Sequence, residues 1–313
     1  MDKKDENRRI TIACQGGGSH TAFTAGVLKR IFKERYEIVG LSGTFGGAIC
    51  ALLAWYGLLM NDKNKSIELI DSFWKDNSAS SLWEIFLNEW VVTVSRLPGT
   101  VSLPEVSPYF YPPWAQNELR RMLEQHVEFE KIEKLLNPSS PMLLVSAVDV
   151  LSGCFRVFKN AEVSVNAILA SAAIPTLFRA VHTDDGVYWD GLFSQNPPVR
   201  DLPDANPDEI WVVQINPERR ENEPKSVHEI LDRRNELAGN LSLNQEIFFI
   251  EKINELVYKG LLIGSKYKYI KVRRIEMLRD LDYTSKLDRS PSFIQGMMAY
   301  GEEQADDFLK RVS

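Results

Sequence analysis

Short apolar runs alternate with longer stretches of helical periodicity along most of the chain. The first run, Arg9–Cys14, is rich in β-branched residues and stops at a glycine cluster. A helical pattern follows over Thr21–Arg35, then an apolar run over Tyr36–Ser42, a glycine-rich turn and an apolar helical stretch over Ala48–Leu59. Strand, tight loop and helix, repeated in this order, predict an α/β fold with a mostly parallel central sheet.

The rest of the chain continues this alternation of strand and helix patterns, apart from one segment. The segment from about 61 to 138 is helical and strongly aromatic, and its loop Ser107–Trp114 (SPYFYPPW) contains Pro-Pro, which excludes a regular helix. We expect a single domain over 1–313 with this segment as an insertion. The aromatic stretches Leu82–Val94 and Pro108–Trp114 could form a lid or membrane-docking face, or equally the packed core of the insertion. Later elements are predicted as strands at 141–149, 154–158, 187–189, 209–215 and 267–274, and as helices at 164–171, 226–259 and 292–310.

Composition narrows the class of protein. With 313 residues, 44% of them hydrophobic and 26% charged, the chain is neither wholly disordered, fibrous nor a disulfide-stapled miniprotein. Its net charge of −6 argues against general nucleic-acid binding. The three cysteines lie far apart without a C-x-x-C pair, and the charged N-terminus has no apolar signal region. These features predict a cytoplasmic or membrane-peripheral enzyme-sized protein, with no metal site.

A glycine cluster, Gly16-Gly17-Gly18, follows the first strand and opens a helix. Backbone amides at such a position bind an anion, which could be a phosphate or the oxyanion of an acyl-transfer intermediate. A dinucleotide site would need a third glycine where Thr21 stands, and a phosphate loop would need Gly-Lys-Ser/Thr. A Rossmann dehydrogenase is therefore a distant alternative, and a merely structural turn is another.

A second glycine-rich turn, Gly43-Thr44-Phe45-Gly46-Gly47, joins the second strand to the apolar helix. Strand, sharp turn and helix form the setting of a nucleophile elbow, G-x-S-x-G, in which small residues flank a strained tip. The tip residue here is Phe45 instead of serine. The alternative is a glycine turn that only packs a strand against a helix.

A third pattern, Asp190-Gly191, ends a short predicted strand, and Asn196-Pro197-Pro198 follows it. An aspartate at this place can project a carboxylate from the sheet edge, although an Asp-Gly turn is the commoner explanation.

Together the three patterns resemble those of the patatin-like phospholipase family, and the resemblance extends over nearly the whole chain. It rests on the segments GGGSHTAFTAGVL, GTFGGAICAL, LASAAIPTLF, DGLFSQNPP and FIQGMMAYGEEQADDFL. The resemblance implies a three-layer α/β fold, a Ser–Asp catalytic dyad, and hydrolysis of phospholipids, lysophospholipids or neutral esters without a cofactor.

The resemblance also assigns roles to individual residues. Asp190 would be the general base, position 45 would hold the nucleophile, and His20 and Gly191 would contact substrate. The oxyanion-hole amides would come from Gly16, Gly17, Gly18 and Gly46. The family usually has Arg or Lys and then Gly where this chain has His20 and Thr21, and Phe45 has no oxygen to attack an ester. We therefore predict that the chain as written is inactive.

Several alternatives remain open at this point. Ser42 and Thr44 lie beside the elbow tip, but we do not expect either hydroxyl to reach the tip position. A non-catalytic lipid- or acyl-binding protein on the same fold would carry Phe45 natively. An acyltransferase or a polyester depolymerase would share the scaffold. The expected partners are a lipid or other ester substrate and a membrane surface contacted peripherally.

Two further segments have a structural and a functional interpretation. Asp184-Asp185-Gly186 is predicted to be a hairpin turn in preference to a calcium site. The basic segment Lys266–Arg274 could contact anionic headgroups, although we favour a solvated edge strand.

Overall fold

The computed structural model describes residues 8–78, 107–110, 112–175, 177–279, 281 and 283–312. The strands are β1 (Arg9–Cys14), β2 (Glu37–Gly43), β3 (Met142–Asp149), β4 (Phe155–Lys159), β5 (Val181–Thr183), β6 (Gly186–Asp190), β7 (Glu209–Gln214) and β8 (Lys271–Glu276). The helices are α1 (Ala22–Phe32), α2 (Gly46–Leu59), α3 (Lys63–Asn77), α4 (Trp114–His126), α5 (Phe129–Leu135), α6 (Val165–Ser171), α7 (Val227–Tyr258) and α8 (Pro291–Val312).

All eight strands join one sheet in the order β5-β6-β3-β2-β1-β7-β8, with β4 paired to β3. Strands β3, β2, β1, β7 and β8 are mutually parallel, and β4, β5 and β6 form the antiparallel part. The predicted mostly parallel α/β sheet is confirmed. The Asp184–Gly186 segment forms the predicted turn between the paired strands β5 and β6.

Helices cover both faces of the sheet. They must do so because successive side chains of a strand point to opposite faces, and apolar side chains point to both. In β1, Ile10, Ile12 and Cys14 face a core shared with α1, α2, α3 and α8. Ala13 faces the opposite way, into a second core that includes Leu243 of α7. Helices on both sides of the sheet give the three layers that the resemblance implies.

The described part of the insertion consists of α3, a 3₁₀ turn at Pro108–Phe110, α4 and α5. Phe110 is 84% exposed and Trp114 is 71% exposed, which favours a surface role over a packed core for this loop. The predicted aromatic stretch Leu82–Val94 lies outside the described residues. Among the described helices, none combines the length and apolarity needed to cross a membrane.

Candidate active site

The glycine loop lies between β1 and α1 and is held by close backbone contacts. A Cβ atom on Gly16 would lie 2.4 Å from the Thr44 carbonyl oxygen, so any other residue would displace the neighbouring turn. Gly18 has a φ of +61°, in the left-handed region that favours glycine. A 3₁₀ turn begins at Gly18 and leads directly into α1. These contacts explain why the loop is glycine-rich.

The second turn has the strained geometry of a nucleophile elbow. Phe45 has φ 52° and ψ −122°, a conformation that costs a non-glycine residue on the order of 1–3 kcal/mol. Its amide donates a hydrogen bond to Ser171 Oγ at 3.0 Å, and its carbonyl accepts one from the Ile49 amide at 3.1 Å. Gly46 then begins α2. The turn therefore holds residue 45 at the tip against its intrinsic preference.

Neither neighbouring hydroxyl can take the place of a serine at the tip. Thr44 Oγ1 lies 2.6 Å from Ser146 Oγ and donates to the Gln195 carbonyl at 2.7 Å, with the side chain fully buried. Ser42 is fully buried within β2 and does not line the cavity that contains Phe45. Both observations agree with the expectation drawn from the sequence.

Asp190 ends β6 as a buried carboxyl group. Its amide donates to the Ala173 carbonyl at 3.0 Å, and its Oδ1 accepts a hydrogen bond from the Leu192 amide at 2.7 Å. The residue is 1% exposed. Burial disfavours the charged form and raises the pKa of Asp190 to about 8. A carboxyl group with its pKa near neutrality is suited to accept and return a proton.

This raised pKa predicts a pH-dependent stability that Asp190→Asn should remove. Between about pH 4 and pH 8 the folded carboxyl group keeps a proton that the unfolded chain has lost. The contribution of Asp190 to the free energy of unfolding therefore falls by about 1.4 kcal/mol per pH unit as pH rises through this window, and is constant above it. Chemical denaturation of both proteins across this range should show the Asp190→Asn protein gaining stability relative to the parent up to about pH 8. The matched control is Asp184→Asn, at an exposed position. If the free energy of unfolding of the parent and of Asp190→Asn depended on pH in the same way, the assignment of Asp190 as a buried, protonated carboxyl group would be contradicted.

One cavity of about 350 Å³ brings the predicted groups together. Its wall includes the glycine loop, Phe45, Gly46 and Asp190. Apolar side chains in the wall include Ile49, Phe73, Trp74, Met122, Ile174 and Phe178. Polar side chains in it include Asn216, Asp232, Asn235, Glu236, Lys286 and Arg289. The wall next to the elbow tip therefore offers both apolar and polar contacts.

Three of the four predicted oxyanion-hole amides are unengaged. Among the described residues, the amides of Gly17, Gly18 and Gly46 donate to no protein acceptor. The Gly16 amide, in contrast, donates to Asn196 Oδ1 at 2.7 Å. The N–H of Gly16 is therefore already satisfied inside the protein, unlike those of the other three glycines.

The two predicted substrate contacts are not brought to the cavity. His20 is 2% exposed, and its Nε2 lies 2.7 Å from Ser285 Oγ. Gly191 packs so closely that an added Cβ would lie 2.3 Å from Ser146 Oγ. Neither residue lines the cavity. Both residues contact neighbouring segments of the protein, His20 at Ser285 and Gly191 at Ser146.

Asn196, which belongs to the third sequence pattern but had no role assigned there, is a positioning residue. Its side chain is fully buried; Oδ1 accepts from the Gly16 amide and Nδ2 donates to the Gly16 carbonyl at 3.3 Å. Asn196 thus clamps the glycine loop from a segment 180 residues away in sequence.

Asn196→Ala should therefore destabilise the protein by about 1–3 kcal/mol, because it leaves the buried Gly16 amide unpaired, whereas the Gly16 carbonyl keeps its hydrogen bond from Asn216 Nδ2 at 3.5 Å. Urea unfolding measures the effect, and Asn117→Ala, at an exposed position, should change stability by less than about 0.5 kcal/mol. Equal stability of the two alanine variants would show that the clamp contributes nothing.

A charged cluster on the polar wall was also missed. Asp232 and Glu236, one turn apart on α7, are 2% and 3% exposed. Arg220 bonds both carboxylates, and Lys286 Nζ lies 2.5 Å from Asp232 Oδ1 and 3.5 Å from Glu236 Oε1. The i,i+4 spacing of the two acids was visible in the sequence, but nothing in it placed them at the cavity. Within the described part of the chain, no group of three or more His, Cys, Asp or Glu residues is arranged to hold a metal ion.

Comparisons with known proteins give the family. No curated protein matches the chain. Among solved structures, VipD from Legionella pneumophila is 11% identical, with a TM-score of 0.46 over 98% of this chain and 67% of that chain. The type III effector ExoU is 15% identical, with a TM-score of 0.37 over 96% of this chain, which spans about half of ExoU (53%). In a further structure, ExoU from Pseudomonas aeruginosa is in complex with SpcU; the TM-score is 0.29 at 15% identity, over 82% of this chain and 53% of that one.

The sequence profile described as patatin-like phospholipase matches residues 12–203. This match covers more than half of the chain and includes the glycine loop, the elbow and Asp190. The chain therefore belongs to the patatin-like phospholipase family.

Proposed function

We propose that the chain is the scaffold of a serine lipid acyl hydrolase, of phospholipase A, lysophospholipase or esterase type, whose nucleophile position holds Phe45. The observation that carries this proposal is the shared cavity, whose wall includes Phe45 at the elbow tip, Asp190, and the three glycines Gly17, Gly18 and Gly46. In the chain as written, no hydroxyl stands at the tip, and we expect no turnover. A cytoplasmic or membrane-peripheral location suits such a protein.

The chemistry of the restored site follows from these groups. With serine at position 45, ionised Asp190 accepts the Oγ proton as Oγ attacks the ester carbonyl carbon. The negative charge on the carbonyl oxygen is stabilised by the amides of Gly17, Gly18 and Gly46. The leaving alcohol takes the proton from Asp190, and an acyl-serine remains. Asp190 then takes a proton from a water as its oxygen attacks the acyl carbon, and returns that proton to the serine Oγ as the acyl–oxygen bond breaks, which releases the carboxylic acid and restores the serine hydroxyl and ionised Asp190.

The cavity wall suggests how the substrate lies. The apolar side chains contributed by α2, α3 and α4 suit an acyl chain, because burying a methylene is favourable by about 0.8 kcal/mol. The polar side chains of the wall, among them Lys286 and Asp232, suit a polar alcohol group. The presence of both kinds of side chain supports an amphipathic ester as substrate.

A second candidate function is lipid or acyl binding without turnover. The observation in its favour is Phe45 itself, which is half-buried in the cavity wall where a substrate carbonyl would lie.

The test is to assay the chain and its Phe45→Ser variant on a lysophospholipid and on a short-chain chromogenic ester, and to identify the products. Free fatty acid from the variant alone supports the hydrolase. Binding of the lysophospholipid by both forms, with turnover by neither, supports the binding protein.

A further inference from the structure

Exposed apolar side chains occur on the outward side of α7, at its C-terminal end and over the turn that follows it. Leu241 and Phe248, two helical turns apart, are 58% and 67% exposed. Beyond them, Tyr258 is 87% exposed, Leu261 67% and Ile263 89%. We call these five residues the α7 strip. Several large apolar side chains exposed on one helix and on the turn after it indicate an interaction surface.

Leu241 and Phe248 do not lie on the side of α7 that packs against the domain. Leu243, Ile247 and Ile250 fill that role, in the core on the second face of the sheet. A helix with one apolar side buried and a second apolar side exposed has more apolar surface than its own domain covers.

The end of the strip is a projecting tip. The segment Gly260–Gly264 turns the chain from α7 towards β8, and both glycines have positive φ, +70° and +74°. A Cβ built on Gly264 meets no atom within 4 Å. Leu261 and Ile263 are therefore presented at an open turn, not packed on the body of the protein.

Basic residues surround this apolar surface in a chain that is acidic as a whole. Residues 248–271 contain five lysines and two glutamates, whereas the chain carries a net charge of −6. Lys252 and Lys259 both pair with Glu255. Lys266 and Lys268 pair with Asp204 at 3.6 Å and Asp208 at 3.0 Å. Such exposed pairs contribute little to stability, so these lysines can exchange their partners for other anions.

We propose that the α7 strip and its lysines dock on an anionic lipid bilayer. Exposed aliphatic and tyrosine side chains flanked by lysines suit the boundary between headgroups and acyl chains, where the apolar parts insert and the ammonium groups stay with the phosphates. The lysines give the preference for anionic lipid. The surface lies beyond residues 12–203, outside the part of the chain that the family profile matches. The proposal concerns the chain as it stands and does not depend on hydrolysis.

Co-sedimentation with vesicles tests this docking. We use vesicles of phosphatidylcholine alone and with about 30% phosphatidylserine, at about 0.1 M and about 0.5 M salt. We expect binding to the anionic vesicles at low salt and weaker binding at high salt. Leu261→Ser/Ile263→Ser should lower the partition coefficient about tenfold or more. Lys259→Glu/Lys266→Glu should lower it about tenfold on anionic vesicles.

The matched control is Leu278→Ser, a 73% exposed leucine beyond the opposite end of β8, which should bind as the parent does. Thermal melts show that each variant is folded. Absence of binding by the parent would overturn the proposal. Equal binding by the parent and by the Leu261→Ser/Ile263→Ser variant would also overturn it. Light scattering could instead show that the parent is a dimer and the Leu261→Ser/Ile263→Ser variant a monomer, with no vesicle binding. That result would assign the α7 strip to contact with a second copy of the chain and would overturn the proposal as well.

Discussion

Phe45→Ser should convert a chain without measurable esterase activity into one that hydrolyses carboxylic esters, with kcat higher by about 10⁶. That magnitude is the loss seen when the nucleophilic serine of a serine protease is removed, and the change here runs in the opposite direction. The backbone at position 45 already has the strained elbow conformation, so only the side chain must change. The removal of the aromatic ring also opens the cavity next to the Gly46 amide.

Phe45→Ala is the matched control for this result, because it opens the same space and supplies no hydroxyl. The alanine variant should remain inactive on a lysophospholipid and on a chromogenic ester. Activity of the alanine variant would mean that Phe45 only blocks a site whose nucleophile lies elsewhere. Activity of the parent chain would contradict the assignment of position 45 altogether.

Asp190→Asn, made in the Phe45→Ser protein, should lower kcat by about 10²–10⁴. The asparagine keeps the shape of the side chain but cannot accept the serine proton. Because burial raises the pKa of Asp190 to about 8, the activity of Phe45→Ser should rise with pH and level off above about 8, as the carboxylate becomes the main form. The residual activity of the double variant should lack this rise.

Asp184→Asn in the same Phe45→Ser background is the control for the change of charge. Asp184 is exposed in the turn before β6, and its replacement should leave both the rate and the pH profile unchanged. Undiminished activity of the Asp190→Asn double variant would mean that another group is the base.

The strands, the glycine loop and the elbow could be predicted because the sequence patterns that indicate them are local. β1 has the predicted bounds Arg9–Cys14, since a β-branched run ending at glycines is visible without knowledge of its neighbours. β8 was predicted to begin at Tyr267 but begins at Lys271. The reason is its partner: Glu209, the first residue of β7, pairs with Lys271, so the ladder cannot begin earlier.

The parts of the site that the sequence did not predict depend on contacts between distant segments. Nothing near Gly16 indicates that its amide is occupied, because the acceptor is Asn196. Nothing near His20 indicates that it bonds Ser285, which lies 265 residues away. A residue's place in a motif predicts the course of the backbone, whereas the partners of its polar atoms are set by tertiary packing.

Covalent capture at residue 45 tests the central claim most directly. Phe45→Ser, Phe45→Ala and the parent are incubated with a long-chain alkyl fluorophosphonate, and the modified peptide is identified by mass spectrometry. We expect one adduct, on the serine at position 45 of Phe45→Ser, and none on the other two proteins. An unmodified Phe45→Ser, or an adduct at the same other residue in all three proteins, would contradict it.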